Sequence, residues 1–351
     1  MQNLQHKSNV FEKHPTTSIL VILAVLLALL YGLFSIKCIN NRYTEFESKN
    51  LKTILKQYYV ANIIDQNIGR FIKLREHAPL QQRKERPTRN YVAKIPGTLE
   101  RKYYVLNTDA DGFIAPSHIH EMPDAKIVFL GGSTTECLYM EETERFPYLV
   151  GRSLEQATGL KVNSYNGGVS ANESMHSINI LLNKVLAMKP TVVVLMHNIN
   201  DLVMLRLQGT YWYQTSLKSH LQSSKTVFTR FEYPPHDPAV SNIEIEEAFK
   251  RNLETFIAIC NINNIVPVLM TQANRVEDDA LYHRFNDIIR EVGLAHKITV
   301  VDLAQQIPRN LEMMYDSYHY TAKGSAFAAR IISHELADIL AVRSRNSKSA
   351  S

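Results

Sequence analysis

Cysteine is almost missing from this chain: there are three in 351 residues, Cys38, Cys137 and Cys260. An odd count always leaves one thiol over, and no C-x-x-C pair occurs. A disulfide framework, a zinc ribbon and a redox dithiol are therefore excluded. Glycine and proline are also sparse at thirteen each, too few for a low-complexity chain. No period of 20–50 residues recurs, which excludes solenoids and propellers. Charge of neither sign dominates, since 39 Lys and Arg against 34 Asp and Glu leave +5. That excess is too small to point to nucleic acid as a partner. The lysine-bearing phosphate loop G-x-x-x-x-G-K-S/T is absent as well. What remains is ordinary globular usage, 45% hydrophobic and 21% charged, at a length suited to one large domain with additions.

One long apolar run stands apart. Pro15 to Lys37 carries no charge before Lys37, and Ile19–Ile36 (ILVILAVLLALLYGLFSI) is nearly all aliphatic. Eighteen helical residues at ~1.5 Å each span roughly 27 Å, close to the thickness of a bilayer's hydrocarbon core. A buried core helix would show a polar face, and this run shows none. It also exceeds the ~7–15 apolar residues of a cleavable signal and has no A-x-A site after it. The reading is an uncleaved single-pass anchor at 18–37, with a flank at 1–17. Lys7 and Lys13 before it are matched by Lys37 and Arg42 behind it, so flanking charge does not set the orientation.

Residues 38–122 read as a lead-in. Leu51, Ile54, Leu55, Tyr58, Ala61, Ile64, Ile68, Phe71 and Ile72 fall on one face of a helix. Arg83, Lys84, Arg86, Arg89 and Lys94 against the single acid Glu85 then suggest a solvated basic linker, or a contact with anionic headgroups or a polyanionic substrate. From 123 to 342 short apolar runs alternate with helical spacing: 126–130, 161–165, 191–196, 265–270 and 298–302 as strands, and 145–156, 173–188, 243–261, 278–296 and 323–342 as helices. This pattern predicts an α/β, three-layer α/β/α domain around a five-stranded parallel sheet. A polar tail at 343–351 is expected to be disordered.

In such sheets ligands bind beyond the carboxyl ends of the strands. There the sequence places Gly131-Gly132-Ser133-Thr134-Thr135, Asn166-Gly167-Gly168-Val169-Ser170-Ala171, Asn198-Ile199-Asn200-Asp201 and Asp316-Ser317-Tyr318-His319. A serine on a Gly-rich strand-to-helix turn can present its hydroxyl, but that turn alone also suits a helix cap or a phosphate. The four segments together, in this order, resemble the SGNH hydrolases, or GDSL esterase/lipase family. The family's G-D-S is Gly131-Gly132-Ser133, its G-x-N-D is Asn198 to Asp201, and its D-x-x-H is Asp316 to His319. The resemblance implies a flavodoxin-like sheet, Ser133 as nucleophile, His319 as general base and Asp316 as its orienting carboxylate. It also implies an oxyanion hole from the Ser133 N–H, the Asn200 amide and a second-turn N–H at Ala171, with Asn166 and Gly168 as support. The chain departs at Gly132, where the family has aspartate, at Ala171, where it has a glycine, and at Asn198, where it has another. A backbone donor needs no side chain, so Ala171 suits the role unless the turn demands positive φ.

The resemblance further implies a membrane-anchored serine esterase acting on an ester-bearing carbohydrate or lipid, its domain periplasmic or extracellular, with no cofactor. Acyl transfer to a sugar hydroxyl through the same site is the alternative within the fold, and a silent envelope carbohydrate-binding protein the alternative outside it. His118 and His120 have no third metal ligand in sequence and read as a surface loop. Cys137 reads as packing under the site. His176 and His197 have no evident carboxylate partner. The aromatic insertion at 205–240, with Tyr211, Trp212, Tyr213 and Phe228 to Tyr233, is either packing or a wall for substrate.

Overall fold

The computed structural model describes residues 16, 23–28, 31, 74–211, 241–275 and 279–349. The expected anchor and the amphipathic stretch at 51–72 lie almost wholly outside these. Residues 23–28 are helical and exposed, and among the described residues no helix is long and apolar enough to cross a membrane.

Arg70–Ser351 form one compact unit. Its center is a parallel sheet of β3 (Ala125–Gly131), β4 (Val162–Gly168), β5 (Val192–Met196), β6 (Val266–Met270) and β7 (Val300–Val301) in the order β4-β3-β5-β6-β7. Counted from the first strand this is 2-1-3-4-5, the flavodoxin-like order, whose switch point lies between β3 and β5. β5 and β6 are apolar on both faces, and β3 nearly so, because both faces are covered, whereas β4 carries Asn163, Ser164 and Asn166. Val128, Leu130, Val193, Leu195 and Leu269 join one core with helices on that side. Ile127, Phe129, Val194, Met196 and Met270 join the other. Each such side chain contributes about 1.5–3 kcal/mol through burial.

The helices follow expectation with small shifts: Phe146–Thr158, Ser174–Asn183, Asn242–Ile262, Ala280–His296 and Ala322–Ser349. The last contradicts the disordered tail. Its backbone stays helical through 343–349, where no glycine or proline stops it. A further helix at Ile199–Gln208 occupies the start of the expected insertion and ends at Gly209 with φ +64°. Tyr211 is buried there with its hydroxyl donating to Asp201 at 2.7 Å. The remaining aromatics of that insertion lie outside the described residues.

The expected basic linker is instead built structure. β1 (Gln82–Glu85) pairs antiparallel with β2 (Tyr104–Asn107), and α1 (Arg89–Lys94) lies between them. The charges of β1 alternate between exposed and half-buried positions, which an edge strand of a two-stranded sheet accommodates. Thr88 caps α1 by accepting the Tyr91 N–H at 3.1 Å. Arg145, 1% exposed, stitches this layer to the main domain: it donates to the carbonyls of Val105 at 2.6 Å and Met140 at 3.2 Å. Its charge is buried among carbonyl dipoles, and burial lowers its pKa.

Candidate active site

Ser133 opens α2 (Ser133–Glu136), a single helical turn directly after β3. As a first-turn residue its N–H has no acceptor within the helix. Thr134 anchors this turn. Its hydroxyl donates to the Tyr318 carbonyl at 3.2 Å and accepts from Gln272 Nε2 at 2.7 Å, which ties the serine turn to the Asp316–His319 loop.

That loop holds itself in shape. Asp316 Oδ1 accepts the N–H groups of Tyr318 and His319, each at 2.8 Å. Asp316 Oδ2 accepts His319 Nδ1 at 2.7 Å, and His319 Nε2 lies 2.8 Å from Ser133 Oγ. With Nδ1 donating to a carboxylate, Nε2 is the acceptor and the serine hydroxyl donates to it, the arrangement a general base needs. Tyr315 stacks on the imidazole, ring centroids 5.7 Å apart and 9° from parallel.

Sequence reading missed one member. Tyr91, on α1, donates its hydroxyl to Asp316 Oδ2 at 2.6 Å, sharing that oxygen with His319. Burial alone would raise the Asp316 pKa. The bonds and charge of His319, then the Tyr91 hydroxyl and the Tyr318 N–H, outweigh it and hold the carboxyl at about 2. Burial, followed by the bond to Asp316, pushes Tyr91 up, so it stays a donor. No motif marks Tyr91, because the contact spans 225 residues. Its hydroxyl draws electron density from Asp316, so Tyr91→Phe should leave a more basic carboxylate. The acid limb of the kcat/KM profile should then move to higher pH, while the thermal transition drops by the value of one charge-assisted bond, about 1.5–3 kcal/mol. A pH-rate profile on the folded variant checks this.

The expected oxyanion residues sit around the same turn. Asn200 Nδ2 donates to the Asn172 carbonyl at 2.7 Å, and it lies 2.5 Å from where a Cβ on Gly132 would fall. The amide thus rests against the residue preceding the nucleophile, with one N–H bound and a second left to donate. A side chain at 132 would have to push this amide aside, so the glycine leaves the Asn200 side chain its place. Ala171 adopts φ +62°, the left-handed region that costs alanine about 1–2 kcal/mol. Asn166 and Gly168 back the nucleophile turn: Asn166 Oδ1 accepts the Gly168 N–H at 2.9 Å, and a Cβ on Gly168 would lie 2.3 Å from Glu136 N. The Gly168 N–H is therefore engaged and not available to substrate. Asn198 Nδ2 turns away, to the Tyr282 carbonyl at 3.0 Å.

Asn200→Ala separates a turn role from an oxyanion role. The expected result is a kcat lower by roughly 10²–10³ with a small change in KM, since the bond strengthens as charge develops on the substrate oxygen. A lowered thermal transition with near-normal kcat would assign the residue to the turn.

Cys137 lines the cavity beside Ser133 but is buried, with its Sγ 3.2 Å from the Thr134 carbonyl, and burial pushes its thiol up to about 12. It is held as a thiol and is unsuited to attack. The cavity, of about 200 Å³ including its open side, is walled by Cys137, Tyr139, Met140, Tyr315 and Tyr320.

The two histidines expected to lack carboxylates have them. His176 Nδ1 lies 2.6 Å from Glu173 Oε1, and His197 Nδ1 lies 3.6 Å from Asp201 Oδ2. All four are buried, and burial lowers His197 and raises Asp201, so that pair packs as neutral-leaning polar core. His118 and His120 diverge: His118 Nε2 is 3.4 Å from Asp109, and His120 pairs with Glu155.

Residues 129–327, more than half of the chain, match the model of the GDSL-like Lipase/Acylhydrolase family. Among solved structures, the acetylxylan esterase Axe2 from Geobacillus stearothermophilus is 20% identical, with 60% of this chain and 94% of that chain covered and a TM-score of 0.43. LAE5, an alpha/beta hydrolase enzyme from the metagenome of Lake Arreo, Spain, is 18% identical, with 62% and 95% covered and a TM-score of 0.44. No curated protein matches the chain.

Proposed function

Since the chain belongs to the GDSL-like lipase/acylhydrolase family, and is thereby an ester hydrolase, we propose that it removes short acyl groups, acetyl foremost, from a carbohydrate or lipid ester through a Ser133 acyl-enzyme. The observation carrying this is the bonded series Asp316, His319, Ser133 opening on a small cavity walled by Tyr139, Met140, Tyr315 and Tyr320. Ser133 Oγ attacks the ester carbonyl as His319 Nε2 takes its proton. The Ser133 N–H and the Asn200 amide receive the developing oxyanion, and His319 then protonates the leaving alcohol. Water, activated by the same imidazole, releases the acid. The cavity is small, about 200 Å³ even with the open space at its mouth counted, which favors a two- or three-carbon acyl group over a fatty chain.

Full-length protein assayed on aryl esters from acetate to octanoate tests the reading. The expected order is acetate first, with covalent labelling by a serine-directed phosphonate. Octanoate as the best substrate would overturn the short-acyl claim, and turnover only with a sugar acceptor would make the enzyme an acyltransferase. The proposal includes a single-pass N-terminal anchor at 18–37 with the domain outside the cytoplasm, resting on the uncharged 18-residue run alone. A C-terminal reporter that works only in the cytoplasm, found active, would reject that topology.

A further inference from the structure

Between residues 83 and 102 the chain carries seven cations and two acids, an excess of +5, and the excess of the whole 351-residue chain is also +5. Everything outside these twenty residues is neutral in sum. The basic character is therefore a local feature of one segment, and that segment is seated on the catalytic loop. Tyr91 of α1 bonds to Asp316 at 2.6 Å, and the Gly97 N–H donates to the Tyr315 carbonyl at 2.9 Å. Tyr139, a wall of the cavity at Ser133, packs its ring against Tyr91 and Tyr104, centroids 6.0 and 5.8 Å away. The acyl cavity and the basic segment thus share a wall.

Two of the seven cations are paired locally, Arg83 with Glu85 and Lys102 with Glu100 and Glu141, while Lys84 stands exposed on the edge strand without an acidic partner among the described residues. Arg86, Arg89, Lys94 and Arg101 have no acidic partner among the described residues. Arg86 lies over the Tyr103 ring at 5.2 Å and reaches the Arg101 carbonyl at 3.3 Å. Arg101 keeps its Nε buried without a hydrogen-bond partner. Partial burial, then the nearby charges of Arg86 and Arg89, lowers the Arg101 guanidinium below its usual value. Like charges gathered without counter-charge are unfavorable in the free protein, and a bound anion relieves them.

From this we infer that the segment 86–101 is a subsite for an anionic glycan, whose carboxylate or phosphate groups engage Arg86, Arg89, Lys94 and Arg101 while an ester on the same polymer enters the Ser133 cavity. The catalytic half of this statement rests on the esterase reading above. A polymer fits better than a small anion, because the cations are spread along the segment. A hydrated polyanion fits better than a bilayer, because the large side chains exposed beside the segment, Leu80 and Tyr103, stand singly at its two ends and Tyr103 lies under the Arg86 guanidinium. Guanidinium forks match carboxylate and phosphate alike.

The test compares full-length wild type with Arg86→Gln/Arg89→Gln and with Arg101→Gln on O-acetylated polygalacturonate, O-acetylated xylan and 4-nitrophenyl acetate. Wild type should favor the anionic polymer, and raising salt from about 0.05 to 0.5 M should erase most of that preference. The variants should lose it by roughly tenfold or more in KM, with the polymer-to-aryl-ester ratio as the readout. Competition by unesterified polygalacturonate or by phosphomannan tells carboxylate from phosphate recognition, and competition by neither overturns the subsite. A preference unmoved by salt and by both variants also overturns it. So does loss of binding to phosphatidylglycerol vesicles in the variants with the polymer ratio unchanged, which would make the segment a membrane contact. If wild type hydrolyzes no ester at all, the esterase reading fails by itself. Fluorescence anisotropy with labelled polygalacturonate, wild type against variants, still decides the subsite.

Discussion

Ser133→Ala should fold with an unchanged thermal transition and lose turnover by up to about 10⁶-fold, together with all phosphonate labelling. The substitution deletes one oxygen from a half-exposed turn whose backbone is held elsewhere, by Thr134 to Tyr318 and Gln272. No neighbor can take over. Cys137 is the nearest thiol, but with burial pushing it up to about 12 it offers almost no thiolate at neutral pH. What survives should be a residual rate from the oxyanion donors and binding, still some 10³–10⁴ above water. Labelling retained at another residue would show that the nucleophile lies elsewhere. Intact-mass measurement after phosphonate treatment decides it.

Asp316→Asn should lower kcat by about 10⁴-fold. The carboxylate accepts four bonds: His319 Nδ1 at 2.7 Å, the Tyr91 hydroxyl at 2.6 Å, and the Tyr318 and His319 N–H groups at 2.8 Å. Asparagine offers one acceptor oxygen. If that oxygen keeps the two backbone N–H groups, its NH₂ faces His319 Nδ1 and Tyr91. The imidazole must then accept at Nδ1 and carry its proton on Nε2, pointing at Ser133, where it cannot act as a base. A loss under about tenfold would mean that Ser133 and His319 suffice as a dyad.

The same carboxylate makes a pH-dependent contribution to folding. Its folded pKa of about 2 is below the ordinary 3.8, so its stabilization is complete above pH 4 and lost as pH falls through about 2. The difference in melting temperature between wild type and Asp316→Asn should therefore be constant near pH 5 and shrink toward pH 2. A gap that does not narrow on acidification would place the carboxylate's bonds elsewhere.

Much of the fold was legible because it depends on short-range patterns. Strands buried on both faces are mostly apolar, as β5 is throughout and β3 is apart from Lys126, and amphipathic helices repeat every three to four residues. The Asp316–His319 loop was legible for a similar reason: the two residues are three apart, so their pairing is a property of one turn. The lead-in was misread at 83–94 because charge density suggests solvent. An edge strand and a capped helix tolerate such charge, and composition does not report the pairing partner. The same blindness to distance hid the carboxylate beside each buried histidine and the bond from Tyr91.

By itself, then, the sequence determined the parallel α/β architecture, the family, and the Ser133, Asp316 and His319 set, since each is written in local periodicity or in a motif of fixed spacing. Only the tertiary structure decided what surrounds that set. It laid the Asn200 amide against Gly132, where a Cβ would be, and it put Ala171 in a left-handed turn. It also brought a basic segment from far upstream against Asp316. These are contacts between residues tens to hundreds of positions apart, fixed by chain topology and packing, and no window of sequence short enough to carry a pattern contains both partners.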